Sequence, residues 1–313
     1  MNNSRRNFIK KSLLGLAGLF ILPKISTSEI KAEPNIKLQF KPTPETWDND
    51  KITLSWLGHS TVLINFYGKF ILTDPALFNR VGVNLFGLTI GPERMTPPAL
   101  IIDEIPKPDL ILLSHGHMDH TDYQTLEFLT DKFPNQIDVV TAYLTKDIIE
   151  DLEWKSITVL DWNNSATISD FNITAFEVKH FGWRYPWEKD RSRGYYKDGR
   201  SFNSYLIEYK NKKIFFGGDT AYTDKLKAVA PYAPDIAIMP VGAYNPWRHN
   251  HCNPEEALKM AKDMNAKYFI PIHTKTFIQS QEPFNEAIEW TIKSHSSYNL
   301  SLGLSNIGET FIL

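Results

Sequence analysis

Residues 109–120 read Asp109-Leu110-Ile111-Leu112-Leu113-Ser114-His115-Gly116-His117-Met118-Asp119-His120. The first half is apolar on both faces, the pattern of a strand buried from two sides in a covered sheet. The second half puts three imidazoles and a carboxylate just beyond the strand's end. Histidine nitrogen and carboxylate oxygen are zinc's ligands where thiolates are lacking. The chain has one cysteine, Cys252, which excludes an intrachain disulfide framework and any zinc finger built on cysteines. In an irregular turn, residues two apart can point the same way, so His115 and His117 can share one metal. Asp119 and His120 then turn toward a second metal beside it. Gly116 permits the tight backbone path between the first two donors.

These donors are too few to close a two-metal site, so the reading requires more of them at other strand ends. His180 follows an expected strand at 172–178, Asp219 follows one at 213–216, and His273 follows one at 268–272. A lone histidine is more often structural than ligating; three independent donors in the same context are not explained that way. His59, His249, His251 and His295 are read as structural or outer-shell residues. His251 is the best placed of these to approach a substrate, and His59 alone follows a strand end, Leu57-Gly58.

Working outward, runs at 52–57, 61–66 and 70–73 with the turn pair Tyr67-Gly68 predict antiparallel hairpins. The Gly- and Pro-rich stretch 79–98 has the texture of a rim loop. Helices are expected at 123–133, 145–152, 223–230 and 254–264, and further strands at 137–141, 203–208 and 236–241. Asn253 is a good N-cap, with Pro254 in the first helical position and Glu255 and Glu256 near the positive dipole end. Hairpins followed by strands alternating with helices give an α/β class, two packed mixed sheets in one domain over 51–313. Residues 33–50 read as a linker or wrapping arm.

Residues 1–32 read as an address. Arg5-Arg6 is followed by Phe8 and Lys10, then by an apolar run at 12–22 that Gly15 and Gly18 interrupt and Pro23 ends. That run is shorter than the roughly 18 apolar residues that span a bilayer. The pattern resembles a twin-arginine export signal, the route for folded proteins. The expectation is a periplasmic protein that acquires its metal before export. Cleavage near Ser28 or Ala32 and retention as a tether to the inner membrane are both open.

The 313 residues are 42% hydrophobic and 22% charged, a folded composition. With 34 basic and 36 acidic residues the net charge is −2, which argues against a nucleic-acid partner held by bulk electrostatics.

The run Leu113–His120, with His180, Gly218-Asp219-Thr220 and His273 in that order, resembles the signature of the metallo-β-lactamase superfamily. Further segments are similar to the branch of phospholipases D that hydrolyse N-acylphosphatidylethanolamines. They are Trp56-Leu57-Gly58-His59-Ser60-Thr61-Val62-Leu63, Leu72-Thr73-Asp74-Pro75, Gly91-Pro92-Glu93-Arg94, Met239-Pro240-Val241-Gly242-Ala243-Tyr244 and His251-Cys252-Asn253-Pro254-Glu255-Glu256-Ala257. The resemblance covers about 52–277. It implies a four-layer αββα sandwich with two zinc ions at one edge, although the same donors also suit iron or manganese. His115, His117 and His180 would hold the first metal, Asp119, His120 and His273 the second, and Asp219 would bridge them. The chain departs from the branch at Met118, where an aromatic residue is usual. It departs again at Thr274-Lys275, where the branch has Trp-Gly after the histidine. Both departures bear on the headgroup pocket.

The implied reaction is attack on a phosphodiester by a hydroxide bridging the two metals, with Asp119, Asp219 and His251 as the catalytic residues. No Ser-His-Asp triad is then required, and Cys252 is read as structural. Between His180 and Ser201, Trp183, Tyr185, Trp187, Tyr195 and Tyr196 alternate with Arg184, Arg191, Arg193 and Arg200, a mixture suited to a lipid headgroup. Trp183, Arg200 and Tyr244 are the candidate substrate-binding residues. The apolar residues of 79–88 form a second rim that would allow peripheral membrane contact. The oligomeric state is open. The alternatives are a lactonase or other small-ester hydrolase on the same metals, separated by an apolar trough versus a closed polar bowl, and a non-catalytic metal-binding protein. A diiron redox protein of the same fold is a further alternative, since His and Asp also suit iron, although no flavin-binding module accompanies these residues.

Overall fold

The structure is a computed structural model that describes residues 36–85, 88–193 and 198–313. The expected export signal, the first residues of the arm, and the positions of Phe86, Tyr195 and Tyr196 lie outside the described residues. Strands β1 (Ile52–Gly58), β2 (Thr61–Phe66) and β3 (Lys69–Thr73) form the predicted meander. The rim stretch contains a small hairpin, β4 (Val83–Leu85) and β5 (Leu88–Ile90). Then follow β6 (Leu110–Leu112), helix α1 (Tyr123–Lys132), β7 (Asp138–Ala142) and β8 (Ser156–Leu160). The second half holds β9 (Ser165–Ile168), β10 (Phe171–Glu177), β11 (Asn203–Tyr209), β12 (Lys212–Phe216) and β13 (Ile236–Pro240). Helix α2 (Pro254–Asp263), β14 (Tyr268–Ile272), helix α3 (Glu286–Ser294), β15 (Ser301–Leu302) and β16 (Thr310–Ile312) complete it.

Among the described residues the strands form two seven-stranded mixed sheets, ordered β16-β1-β2-β3-β6-β7-β8 and β15-β14-β13-β12-β11-β10-β9. Side-chain alternation along the second sheet explains the layering. Ile173, Ala175, Tyr205, Ile207, Ile214, Phe216, Ile236, Ile238, Ile270 and Ile272 face the first sheet in one core. The intervening Phe176, Leu206, Phe215, Ala237, Met239 and Phe269 pack with Ala257, Leu258 and Ala261 of α2 and Ala287 of α3 in another. Leu126 and Leu129 of α1 join the first core. With a period of two, a strand that is apolar at every position must be covered on both faces, which is the αββα arrangement.

Strand direction decides where chemistry can gather. In the first sheet β1 and β3 are each antiparallel to β2, and β6 runs parallel to β3. In the second, β10 and β12 are each antiparallel to β11, and β13 and β14 continue parallel to β12. The C-terminal ends of β1, β3 and β6 therefore share one edge of their sheet, and those of β10, β12 and β14 share one edge of theirs.

Two expected helices differ. Thr145–Leu152 contains only a 3-10 turn at Lys146–Ile148, where the Thr145 hydroxyl bonds to the Ala142 carbonyl at 2.6 Å and competes with helical bonding. The expected helix at 223–230 is a 3-10 stretch, Asp224–Tyr232, with Pro231 inside it. In the arm, Leu38 and Trp47 are partly buried against the core. No described helix is long and apolar enough to cross a membrane.

Candidate metal centre

Six strand ends deliver the site. β1 leads to His59, β3 to Asp74 and β6 to the run His115–His120; β10 leads to His180, β12 to Asp219 and β14 to His273. Backbone geometry is specialised at these exits: Gly218 has φ +57°, and its missing Cβ leaves room for Ser114 and the Asn203 carbonyl. His59, Asp74 and His273 also have positive φ. Such left-handed conformations cost energy in non-glycine residues and persist where surrounding structure enforces them.

The seven expected ligands come together in two overlapping groups. In the first, His115 Nε2 lies 2.7 Å and His180 Nε2 lies 3.3 Å from His117 Nδ1. Asp219 completes this group, with all ligand atoms within 4.8 Å of one another. In the second, Asp119, His120 and His273 converge to the same tolerance, and His59 stands with them. Asp219 Oδ2 links the groups, at 3.1 Å from both His120 Nε2 and His273 Nε2 and 3.7 Å from His180 Nε2.

Whether these residues fit a metal is answered by their unmet bonding capacity. His117 Nε2, His120 Nε2, Asp219 Oδ1, His251 Nδ1 and both ring nitrogens of His273 are buried with no hydrogen-bond partner. Buried polar atoms are nearly always paired, and a cluster of orphans on imidazoles and carboxylates is the donor set a divalent cation satisfies. The residues fit.

The electrostatics divide along the same line as the two groups. Burial, aided by neighbouring imidazoles, pushes the His115 pKa well below its usual value. Burial also lowers His117 to about 4 and His180 to about 3. Burial opposes charge on His120 and His273 too, but there the carboxylates win. Asp219, Asp119 and Asp74 hold His120 well above its usual value, and Asp219 and Asp119 raise His273 to about 9. Asp119 and Asp219 are held well below the usual carboxylate range: burial works against ionisation, and His120 with other imidazoles overrides it.

Asp74 is a site residue that the sequence reading did not single out. Fully buried, it accepts from Ser114 N at 2.7 Å and Ser114 Oγ at 2.5 Å, and it meets His120 Nδ1 at 2.6 Å. That carboxylate–imidazole contact directs His120 Nε2 into the centre. The available signal was position, since Asp74 ends a strand parallel to β6. Gln279 was also unforeseen; its amide donates to Asp119 Oδ2 at 2.6 Å, and nothing in its local sequence marks it. His59, expected as outer-shell, contacts that same oxygen at 3.0 Å.

His251 lies with its Nδ1 3.7 Å from Asp219 Oδ2, and burial lowers its pKa to about 3. It lines a cavity of about 380 Å³ together with His117, Asp119, Trp183, Trp247 and His249. A second lobe of about 330 Å³ shares His117, Asp119, Phe181, Trp183 and Gln279, and adds Val81, Val83, Ile90, Pro92 and Met118. Of the three candidate substrate residues, Trp183 lines both lobes. Arg200 and Tyr244 line neither, which corrects that expectation. The Arg200 guanidinium is taken up by Asp147 and Glu188, and the Tyr244 hydroxyl donates to Glu286 at 2.5 Å. Arg184 instead lines the second lobe and donates to the carbonyls of Gly116 at 2.8 Å and Thr121 at 2.9 Å. His295 lies in a distal 3-10 turn and bonds to Leu300 O.

A sandwich carrying a His/Asp cluster of this order at one edge defines a metallo-β-lactamase-type fold. Residues 70–274 match the model of the β-lactamase superfamily domain, and the chain belongs to that superfamily. An uncharacterised protein of Mycobacterium tuberculosis is 30% identical over 252 residues, covering 77% of this chain and 63% of that protein. The mitochondrial N-acyl-phosphatidylethanolamine-hydrolyzing phospholipase D of Saccharomyces cerevisiae is 32% identical over 250 residues, covering 75% of this chain and 50% of the yeast protein. The match thus spans less than two thirds of the length of either relative. Among solved structures, a metallo hydrolase of Ignicoccus hospitalis superposes with a TM-score of 0.60 at 19% identity, over 84% of this chain and 98% of that one, a likeness of fold.

Proposed function

We propose that this protein is a metal-dependent hydrolase, loaded with two zinc ions, that cleaves a phosphodiester of the N-acylphosphatidylethanolamine type. The observation that carries the proposal is the convergence of seven His and Asp side chains, with orphaned ring nitrogens on His117, His120 and His273 and an orphaned oxygen on Asp219, beside a two-lobed trough. His115, His117, His180 and Asp219 would hold one ion, and Asp119, His120, His273 and Asp219 the other. Divalent cations there supply Lewis acidity toward a phosphoryl oxygen and acidify water enough for attack at neutral pH. The protein's part is orientation. Asp74 fixes the ring of His120, and Arg184 pins the ends of the donor run through two carbonyls. His251, neutral at physiological pH, is a hydrogen-bonding group at the cavity wall within reach of a bound substrate.

The choice of a lipid-like diester over a lactone is supported by the wall of the second lobe, where Val81, Val83, Ile90, Pro92, Met118, Phe181 and Trp183 make an apolar trough. The yeast relative, an N-acyl-phosphatidylethanolamine-hydrolyzing phospholipase D, points the same way. Peripheral membrane contact through this rim is part of the proposal, as is export by the twin-arginine route, which rests on Arg5-Arg6. Turnover of phosphodiester, phosphomonoester and lactone probes by the zinc-reconstituted protein tests the function. Diester hydrolysis lost on chelation and restored by zinc is expected; preference for lactones over every diester overturns it.

A further inference from the structure

The donor set above leaves out one buried imidazole. His59 follows Gly58 (φ +119°) at the tight β1–β2 turn, is itself in a left-handed conformation, and is 1% exposed. Its backbone is fully employed: its N–H donates to Thr276 Oγ1 at 2.6 Å, and its carbonyl accepts from Trp56 Nε1 at 2.7 Å and from His273 N at 2.9 Å. The ring is wedged among His120, His273 and Phe277, with centroids 4.3–5.2 Å away. So held, it presents Nε2 to Asp119 Oδ2 at 3.0 Å. Since an ionised carboxylate only accepts, the ring proton belongs on Nε2. From the opposite side, Gln279 donates to the same oxygen. Asp119 is thus gripped by a residue of the first sheet and by the loop that follows β14 of the second.

Both donors meet the carboxylate that the first sheet lends to the second half of the centre, and neither touches His115, His117 or His180. We propose that His59 is a positioning residue for Asp119. It braces this carboxylate so that the Asp119–His120–His273 position takes its metal tightly, while the three-histidine position is indifferent to it. The proposal rests on the metal-centre reading given above. A brace of this kind typically changes metal affinity by about 10–100-fold.

His59→Phe keeps the aromatic volume and removes the N–H, whereas His59→Gln keeps a donor near the place of Nε2. Metal binding is measured by equilibrium dialysis against zinc with elemental analysis, and by the visible spectrum of the cobalt-loaded protein. Circular dichroism shows that each variant is folded. The expected result is that wild type binds two equivalents, His59→Phe binds the first unchanged and the second about 10–100-fold more weakly, and His59→Gln recovers to within about threefold. Two unaltered equivalents in His59→Phe overturn the brace and leave the metal centre standing. A His59→Gln variant as impaired as His59→Phe also overturns it, because the imidazole would then be acting as a ligand. If His59→Phe does not fold, His59→Leu, which also lacks the N–H, takes its place beside His59→Gln and the same outcomes decide. Wild type that binds no zinc overturns the metal-centre reading itself, and the brace with it.

Discussion

His115, His117 and His180 gather around Asp219, with Asp74 near His115, whereas His120 and His273 each have Asp219 at 3.1 Å and Asp119 at 3.6–3.8 Å, with Asp74 bonded to the far side of His120. The same device, a side chain placed just past a strand, builds both halves. Their protonation differs because their carboxylates differ. In the first half, burial dominates and the rings are neutral, in the form that binds metal. In the second, carboxylates outweigh burial and the rings keep protons that a metal must displace. On the proposed two-metal reading, one position would be ready for a cation and the filling of the other would be coupled to proton release.

Asp219 belongs to both halves, so removing it has the largest effect. Asp219→Ala is expected to lose both zinc equivalents and reduce hydrolysis to background in side-by-side elemental analysis and turnover. Retention of two equivalents would break the idea that one carboxylate serves both positions. The halves separate next. His117→Ala should lose the first equivalent and His273→Ala the second, with zinc uptake by His117→Ala remaining the more pH-dependent of the two. Indistinguishable uptake by these variants would show that the division drawn from protonation has no consequence for loading. A smaller effect falls on Asp74→Asn, which keeps the volume and weakens the acceptor for His120 Nδ1 and Ser114. It should lower affinity at the second position by about 10–100-fold and leave the first unchanged, as read by zinc competition with a chromogenic chelator.

Much of this centre was legible because its donors obey one positional rule. His115–His120, His180, Asp219 and His273 each follow an apolar run, and a donor just past such a run stands at a sheet edge. Asp74 obeys the rule as well, but Asp74-Pro75 reads as an ordinary turn, and its partner His120 lies 46 residues away. Gln279 was not legible at all, since its role exists only through the loop after β14 that brings it 160 residues back to Asp119. Arg200 misled for the opposite reason. Arginines among aromatics suit a phosphate, but this one is occupied by Glu188 of the same segment and by Asp147, 53 residues away. In the fold, the apolar strands were readable to within a residue or two. β8 and β9 were not read, although Ile157 and Val159, and Ala166 and Ile168, alternate with polar residues; the runs are short and only Leu160 and Ile168 are buried in them. Helix α3 buries only Ala287, Ile288 and Thr291, too thin a stripe to stand out.

The finest test of the comparison uses the chelated protein, where protonation alone speaks. Unfolded imidazoles titrate near pH 6.5. His117 at about 4 and His180 at about 3 bind fewer protons in the folded chain than in the unfolded one below that pH. Stability should therefore fall as the solution is acidified from about 6.5. His273 at about 9 behaves in the opposite sense. Its folded form holds the proton more tightly, so its contribution is complete below about 6.5 and is lost as pH rises to about 9. Metal-free protein should be most stable near neutrality, with an acid flank owed to the first half together with His59 and His251 and an alkaline flank owed to His120 and His273. Thermal melts across pH 5–9.5 in excess chelator would show both flanks. His180→Asn should flatten only the acid side and His273→Asn only the alkaline side, each by a few °C. If either variant flattened the other flank, the charges would not be divided between the halves as the carboxylates require.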